Sequence, residues 1–376
     1  MNTPTTARPA FRKVLDPAKA DAEVRGWQAA AHALPVPDLL GRVQLSGKHL
    51  VAYEDVFASG RCTMLLGDVI ATADRDPAAL PRVNALIDAV CDSLLDAVSA
   101  SGHPEPLSAC VPGLYLDRIR PGGRIDTWYL SGRLAIPTTC TGSPLSLSTL
   151  TGHTLIVNGI ALRFDLPSTV REAREALYPG RRWITALTQG DPTEPNIADP
   201  LCWLDFEYAG RNTIAGEIAI LLWYLLGMGG WLVPTYQPDV YTRTLPLHLP
   251  PVTTPHLEHV DHVERHRRLE IRYTWPVGAG RQAAITRLLD RVRADLAPAA
   301  GLNPDRFLAQ IRHFLTLRIL GVIPPARLTG HDLLLLLAKL AEAQHPEAVG
   351  EVFTRTHPAP ATGPDDWTDD DHSRAA

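Results

Sequence analysis

The feature that most constrains this 376-residue chain is the run Ile218–Val233. Its 16 residues carry no charge, so the stretch cannot face water and the rest of the sequence must supply a core around it. It is shorter than the roughly 20 apolar residues a membrane span needs. It also contains three glycines and follows Glu217 directly, so it reads as the buried helix of a globular protein. With 45% hydrophobic and 20% charged residues, the chain has the material for that core and is neither globally disordered nor fibrous. At about 150 residues per domain, the length allows two domains or one large bilobal enzyme.

Charge and cysteine usage narrow the function classes. The 36 basic and 41 acidic residues give a net charge of -5 spread along the chain, with no basic stripe for nucleic acid. Only four of the cations are lysines: Lys13, Lys19, Lys48 and Lys339. Cys62, Cys91, Cys110, Cys140 and Cys202 are scattered and contain no CxxC pair, which argues against a disulfide framework and a zinc site. A reducing cytoplasm is the expected compartment. The polar, proline-bearing N-terminus has no apolar stretch of the secretory type.

Along the chain, Ala10–Leu15 reads as a strand, and Asp16 with Pro17 opens a helix to about Leu34. Two further strands, 40–45 and 50–57, flank the turn Ser46-Gly47. Apolar residues from Leu80 to Val98 recur at helical period. Asn158-Gly159 between 154–157 and 160–164 is a strong hairpin signal. Thr169 with Glu172 has capping-box spacing for a helix to about Leu177. Strand-like runs 183–188 and 201–204 each end in a polar cluster, and from Glu217 onward helical periodicity dominates, near 281–297, 304–320 and 331–343. His256, His259, His262 and His266 fall at helical spacing among acids and arginines, which reads as a solvated helix face rather than a metal site. The tail 358–376, with five aspartates between 365 and 371, is expected to be disordered.

The chemistry is concentrated between Thr188 and Ala219. Asp191 stands on a turn after a strand, Asn196 follows five residues later, and Asp205 closes the next strand. Such a set offers hard oxygen ligands, and magnesium needs only one or two carboxylates beside phosphate oxygens. The pattern suits phosphoryl transfer, in which one aspartate orients a hydroxyl while an asparagine and an aspartate hold the metal. By residue type alone, all three also suit ordinary turns.

Gly190, Asp191 and Asn196 keep the spacing H-G-D-x-x-x-x-N, Leu204-Asp205-Phe206-Glu207 matches an I-D-[WF]-E strand, and Glu217-Ile218-Ala219 stands where a D-L-A helix start is expected. On these residues the chain resembles the aminoglycoside phosphotransferase family. The resemblance implies an α+β, bilobal protein-kinase-like fold: a small α/β lobe at 1–57 and a larger, mainly helical lobe at 58–357. It makes Asp191 the catalytic base and Asn196 and Asp205 the magnesium ligands. Phe11-Arg12-Lys13-Val14-Leu15 is similar to the strand whose lysine meets the nucleotide phosphates, with Glu23 as its ion-pair partner. Val51–Val56 is similar to the hinge strand, where Glu54 and Val56 would face the adenine of ATP.

Gln189 replaces the family histidine, a scaffold group, and Glu217 replaces an aspartate. The family's glycine-rich hairpin is not expected in its usual form, because only about nine residues precede the Lys13 strand and the first glycine is Gly26. The turn Pro121–Arg124, with Arg118 and Arg120, is a second place where phosphate could be met. The implied activity is an ATP- and magnesium-dependent kinase acting on an alcohol; the alternative is a pseudokinase that binds without turnover. Residues 239–272 hold five acidic and five arginine side chains, which does not favour a polycationic acceptor. A neutral or zwitterionic metabolite, a natural-product intermediate or a modified peptide suits that balance better. The excess of arginine over lysine points to a GC-rich bacterial genome, where kinases of this family often serve antibiotic biosynthesis or resistance, an analogy only. No nucleic-acid or membrane partner is expected, and the sequence leaves the oligomeric state open.

Overall fold

The computed structural model describes residues 9–111, 115–131, 134–136, 145–239 and 253–345. The acidic tail at 358–376 and Cys140 lie outside the described residues. The architecture is mixed α/β, with several small sheets rather than one continuous sheet.

The chain opens with strand β1 (Ala10–Leu15), helix α1 (Pro17–Ala30) and strands β2 (Leu39–Leu45) and β3 (Lys48–Glu54). The strands form an antiparallel sheet in the order β1-β3-β2, with Lys13 opposite Val51. Asp16 occupies the N-cap position and Pro17 the first turn of α1, as the sequence predicts, but the Asp16 carboxylate pairs with Lys48 instead of capping. The helix ends at Ala30, and β3 ends at Glu54, where Asp55 accepts the N–H groups of Phe57 and Ala58 and turns the chain. Val51 and Tyr53 are buried on one face of the sheet, whereas Val14, Val43 and Leu45 on the other are exposed.

Helices α2 (Leu66–Arg75) and α3 (Leu80–Ser101) lead to strand β4 (His103–Pro106). The hairpin of β5 (Thr154–Val157) and β6 (Ile160–Arg163) turns through Asn158 and Gly159, both at positive φ (51° and 81°), as a type I′ turn requires. Helix α4 (Leu166–Ala176) starts earlier than the Thr169–Glu172 spacing suggests, because Asp165 is its N-cap and accepts from the Ser168 N–H; Thr169 is buried inside the helix. Strand β7 (Arg182–Thr188) is central in a second antiparallel sheet, between β4 and β8 (Gly210–Thr213). Helix α5 (Ile214–Trp223) follows at once, with Thr213 as its cap.

The apolar run is helical, as expected, but the continuous helical segment is longer than the run. Ile214–Tyr236 spans 23 residues, enough to cross a membrane by length and composition, yet 94% of its most apolar window is buried within the protein. Trp223 and Trp231 have no exposed surface, and the core around them extends from Ala20 to Ala343.

His256, His259 and His262 lie on a strand, not a helix face, and His266 lies in the turn that follows it. Strand β9 (His256–Val263) pairs with β10 (Arg268–Thr274), which runs parallel to β5, and a bulge interrupts the pairing between Leu257 and His259. The deciding pattern lies in the partner: Leu269, Ile271 and Tyr273 alternate inward, the period of a half-buried strand. Helices α6 (Ala279–Arg291), α7 (Pro304–Gly321) and α8 (Gly330–Ala343) complete the described fold.

Gly26 sets how closely α1 approaches the segment after β7. A Cβ there would lie 1.9 Å from the Phe206 carbonyl oxygen, so only glycine permits the contact. Gly26→Ala should lower stability by about 1–3 kcal/mol in urea unfolding, the range for overpacking a close contact. A change below about 0.5 kcal/mol would show that α1 can move off this segment.

Candidate active site

Three separated residues meet at one ammonium. Lys13 on β1 places its Nζ 2.7 Å from Glu23 Oε1 on α1 and 2.6 Å from Asp205 Oδ1. The Tyr53 hydroxyl donates to Glu23 Oε1 at 3.1 Å, and the Phe206 N–H donates to Oε2 at 3.4 Å. Burial works against the Lys13 charge, but the carboxylates of Asp205 and Glu23 outweigh it and hold the lysine above its usual pKa. Glu23, 2% exposed, is raised by burial, with Lys13 opposing. Against the burial of its own carboxyl, the Lys13 ammonium holds Asp205 below the ordinary carboxylate range. Asp205 takes a left-handed backbone (φ 62°), a conformation aspartate tolerates better than most residues.

This trio lines a cleft of about 510 Å³ of open space, walled also by Phe11, Tyr53, Glu54, Val56 and Asn196. The residues expected to face the nucleotide and the two expected metal ligands therefore share one cleft. The Val56 carbonyl already accepts from the Cys62 N–H, and the Glu54 carboxylate pairs with Arg61, so both of these groups have partners within the protein.

Asp191 is not among the residues lining that cleft. It follows β7 and Gly190, whose positive φ (88°) and close approach to Tyr208 exclude a side chain: a Cβ would lie 2.0 Å from the Tyr208 carbonyl oxygen. Gln189 acts as scaffold, donating from Nε2 to the Leu204 and Asp205 carbonyls (2.9 and 2.6 Å) while its Oε1 accepts from the Asp191 N–H at 2.8 Å. Asn196 Nδ2 donates to the Asp191 carbonyl at 2.9 Å, which leaves the Asn196 Oδ1 as its ligating atom. The segment carrying Asn196 is pinned by Glu194, fully buried, in a forked pair with Arg281 at 2.6 and 3.3 Å. One side chain the motif reading missed lies on Asp191 itself: Arg318 Nη2 donates to Oδ1 at 3.0 Å. Its signal was an arginine inside the apolar stretch Phe314–Leu320, where an unpaired charge could not be buried.

The turn Pro121–Arg124 does not cover the cleft. Gly122 N–H donates to Asp126, and Arg124 reaches the Gly321 carbonyl on α7.

The oxygen set fits magnesium. Two carboxylates, Glu23 and Asp205, share one ammonium, and the cleft they line also holds the Asn196 side chain, whose amide oxygen is a further hard donor. No cluster of three or more metal-binding side chains occurs among the described residues, and a metal that draws its other oxygens from phosphates needs none.

Behind the loop, Glu217 is fully buried and its Oε2 accepts the Gly190 N–H at 3.2 Å. Burial pushes its carboxyl up to about 8, so it is mostly protonated at neutral pH.

No known family's sequence profile matches the chain, and no curated protein matches it. Among solved structures, a glucosamine kinase (crystal form B) is similar with a TM-score of 0.40 and 15% identity, over 88% of this chain and 71% of that one.

The raised Glu217 pKa fixes a pH dependence. Between the ordinary glutamate value and about 8, the unfolded chain has lost this proton and the folded one retains it, so stability falls as pH rises through that window. Glu217→Gln should remove the effect. The stability of the variant in urea unfolding should rise progressively relative to wild type from about pH 5 to pH 8, and the difference should level off above. A constant difference across that range would show that Glu217 is ionised when folded.

Proposed function

We propose that the chain is an ATP- and magnesium-dependent phosphotransferase that phosphorylates a hydroxyl of a small molecule, a natural-product intermediate or a modified peptide. The observation that carries this reading is the Lys13–Glu23–Asp205 trio, which joins three separated sequence motifs at the wall of one cleft. The spacing of Gly190, Asp191, Asn196 and Asp205, and the likeness of that pattern to aminoglycoside phosphotransferases, supports it from the sequence side.

In this reading the adenine lies against the hinge, where the Val56 N–H is available, and the phosphates reach Lys13. Lys13, oriented by Glu23, supplies a compact positive charge against the oxygens of the transferring group. Asn196 Oδ1 and an Asp205 carboxylate oxygen would hold magnesium, which supplies charge neutralisation on the phosphates when bound. Asp191 accepts a hydrogen bond from the acceptor hydroxyl and takes its proton as the oxygen attacks the γ-phosphorus. The bond from that phosphorus to the bridging oxygen breaks, and ADP leaves with the electron pair.

A binding protein without turnover is the second reading, favoured by one contact: the Asp191 carboxylate is engaged by Arg318. Transfer of labelled phosphate from ATP to a panel of alcohols and peptides separates the two. We expect ATP with magnesium to raise the melting temperature by several degrees and Lys13→Met to abolish that rise. Asp191→Ala should lower kcat by about three orders of magnitude while preserving the thermal shift. A thermal shift without transfer selects the binding reading; neither shift nor transfer overturns both.

A further inference from the structure

The Asp191 side of the loop carries more positive charge than its own contacts use. Arg318 is 5% exposed; its Nη2 reaches Asp191, but its Nε is buried with no hydrogen-bond partner. One helical turn along α7, Gly321 leaves room for the stem of Arg118, whose Cδ would be 3.1 Å from a Cβ at that position. Arg118 thus lies over the same face of α7 as Arg318, and its Nη1 is buried without a partner. Arg124 is anchored beside them on the Gly321 carbonyl at 2.7 Å. Three guanidinium groups therefore gather where Asp191 is the carboxylate in direct contact.

The electrostatics agree with this placement. Burial pulls the Arg118 pKa down to about 10; Arg318 pulls in the same direction, while Asp191 opposes. Beyond Asp191, three acids on nearby elements are protonated or paired elsewhere. Glu217 is mostly protonated at neutral pH, Asp126 is paired with Arg174, and Glu172 faces Arg312. Leaving a buried guanidinium N–H unpaired is costly, and its planar fork of donors matches a carboxylate or phosphate. Asp191 is 24% exposed in its side chain and Arg118 is only partly buried, so these two residues keep some contact with solvent.

We propose that Arg118 and Arg318 form the seat for an oxyanion, a carboxylate or phosphate, carried by the acceptor alcohol beside Asp191. That the anion belongs to an acceptor rests on the phosphotransferase reading; the anion seat itself does not. The seat narrows the acceptor to a hydroxylated anion, held by its charged end so that a hydroxyl falls at the Asp191 carboxylate.

The test uses the full chain with saturating ADP and magnesium, so that charged probes do not report on the Lys13 cleft. Thermal shift and calorimetric titration compare glycerol, glycerate and glycerol 3-phosphate at matched ionic strength. A preference for either anion over glycerol is expected, and the stronger of the two identifies carboxylate or phosphate as the group seated. Arg118→Gln should weaken that anion at least about tenfold, and Arg118→Lys should retain part of the affinity. Circular dichroism confirms that both variants fold, and either variant alone suffices for the comparison. Equal binding of the three probes, or an anion preference that survives Arg118→Gln, overturns the proposal. An ADP titration without any thermal shift would count against the phosphotransferase reading and leave the anion comparison intact as a separate result.

Discussion

One ammonium shared by two carboxylates is the constraint on which the rest of the site depends. Lys13 lies between Glu23 and Asp205 at hydrogen-bond distance from both, and the three come from β1, α1 and the segment after β7. Glu23 could not be set this deep without that charge, because burying an unpaired ion costs several kcal/mol. Holding the ammonium fixes the spacing of sheet and helix, and Gly26 is the geometric condition for it: the backbone of α1 touches the Phe206 carbonyl, so Glu23 can also receive the Phe206 N–H.

The loop bearing Asp191 contains Gly190, Pro192 and Pro195, and several of its polar groups are engaged by a compact set of side chains. Gln189 bridges the two strand ends, Asn196 closes the loop from below, and the Glu194–Arg281 pair ties it to α6. Glu217 takes the Gly190 N–H from the first turn of α5. Each bond replaces a solvent contact that a buried backbone group would otherwise miss. Such a loop is preorganised by its surroundings rather than by its own composition, which places Asp191 and Asn196 without regular secondary structure around them.

Much of the local structure was legible because it is set by short-range rules. Asn158-Gly159 marks a type I′ turn, since both central residues need positive φ, and the hairpin lies where the pair predicts. The periodic apolar segments after Glu217 are helices for the same local reason. The histidine row misled because spacings of three and four residues occur in strands as well. What makes 256–263 a strand is the pairing it finds in β10, itself paired with β5 more than a hundred residues earlier. Likewise Thr169–Glu172 has the spacing of a cap, but Asp165 reached the free N–H groups first.

The sequence by itself determined the chemistry on offer: a scarce lysine on an early strand, a glutamate one helix later, and an aspartate–asparagine–aspartate series at fixed intervals. It also determined that Ile218–Val233 must be enclosed, because no arrangement of this chain could expose it cheaply to water. Only the tertiary structure decided that Lys13, Glu23 and Asp205 share one set of hydrogen bonds, and that Arg318 and Arg118 stand on the Asp191 side. The physical reason is range. Turn and helix propensities act over a few residues, whereas ion pairs across 127 and 192 positions form only after packing has brought their backbones together.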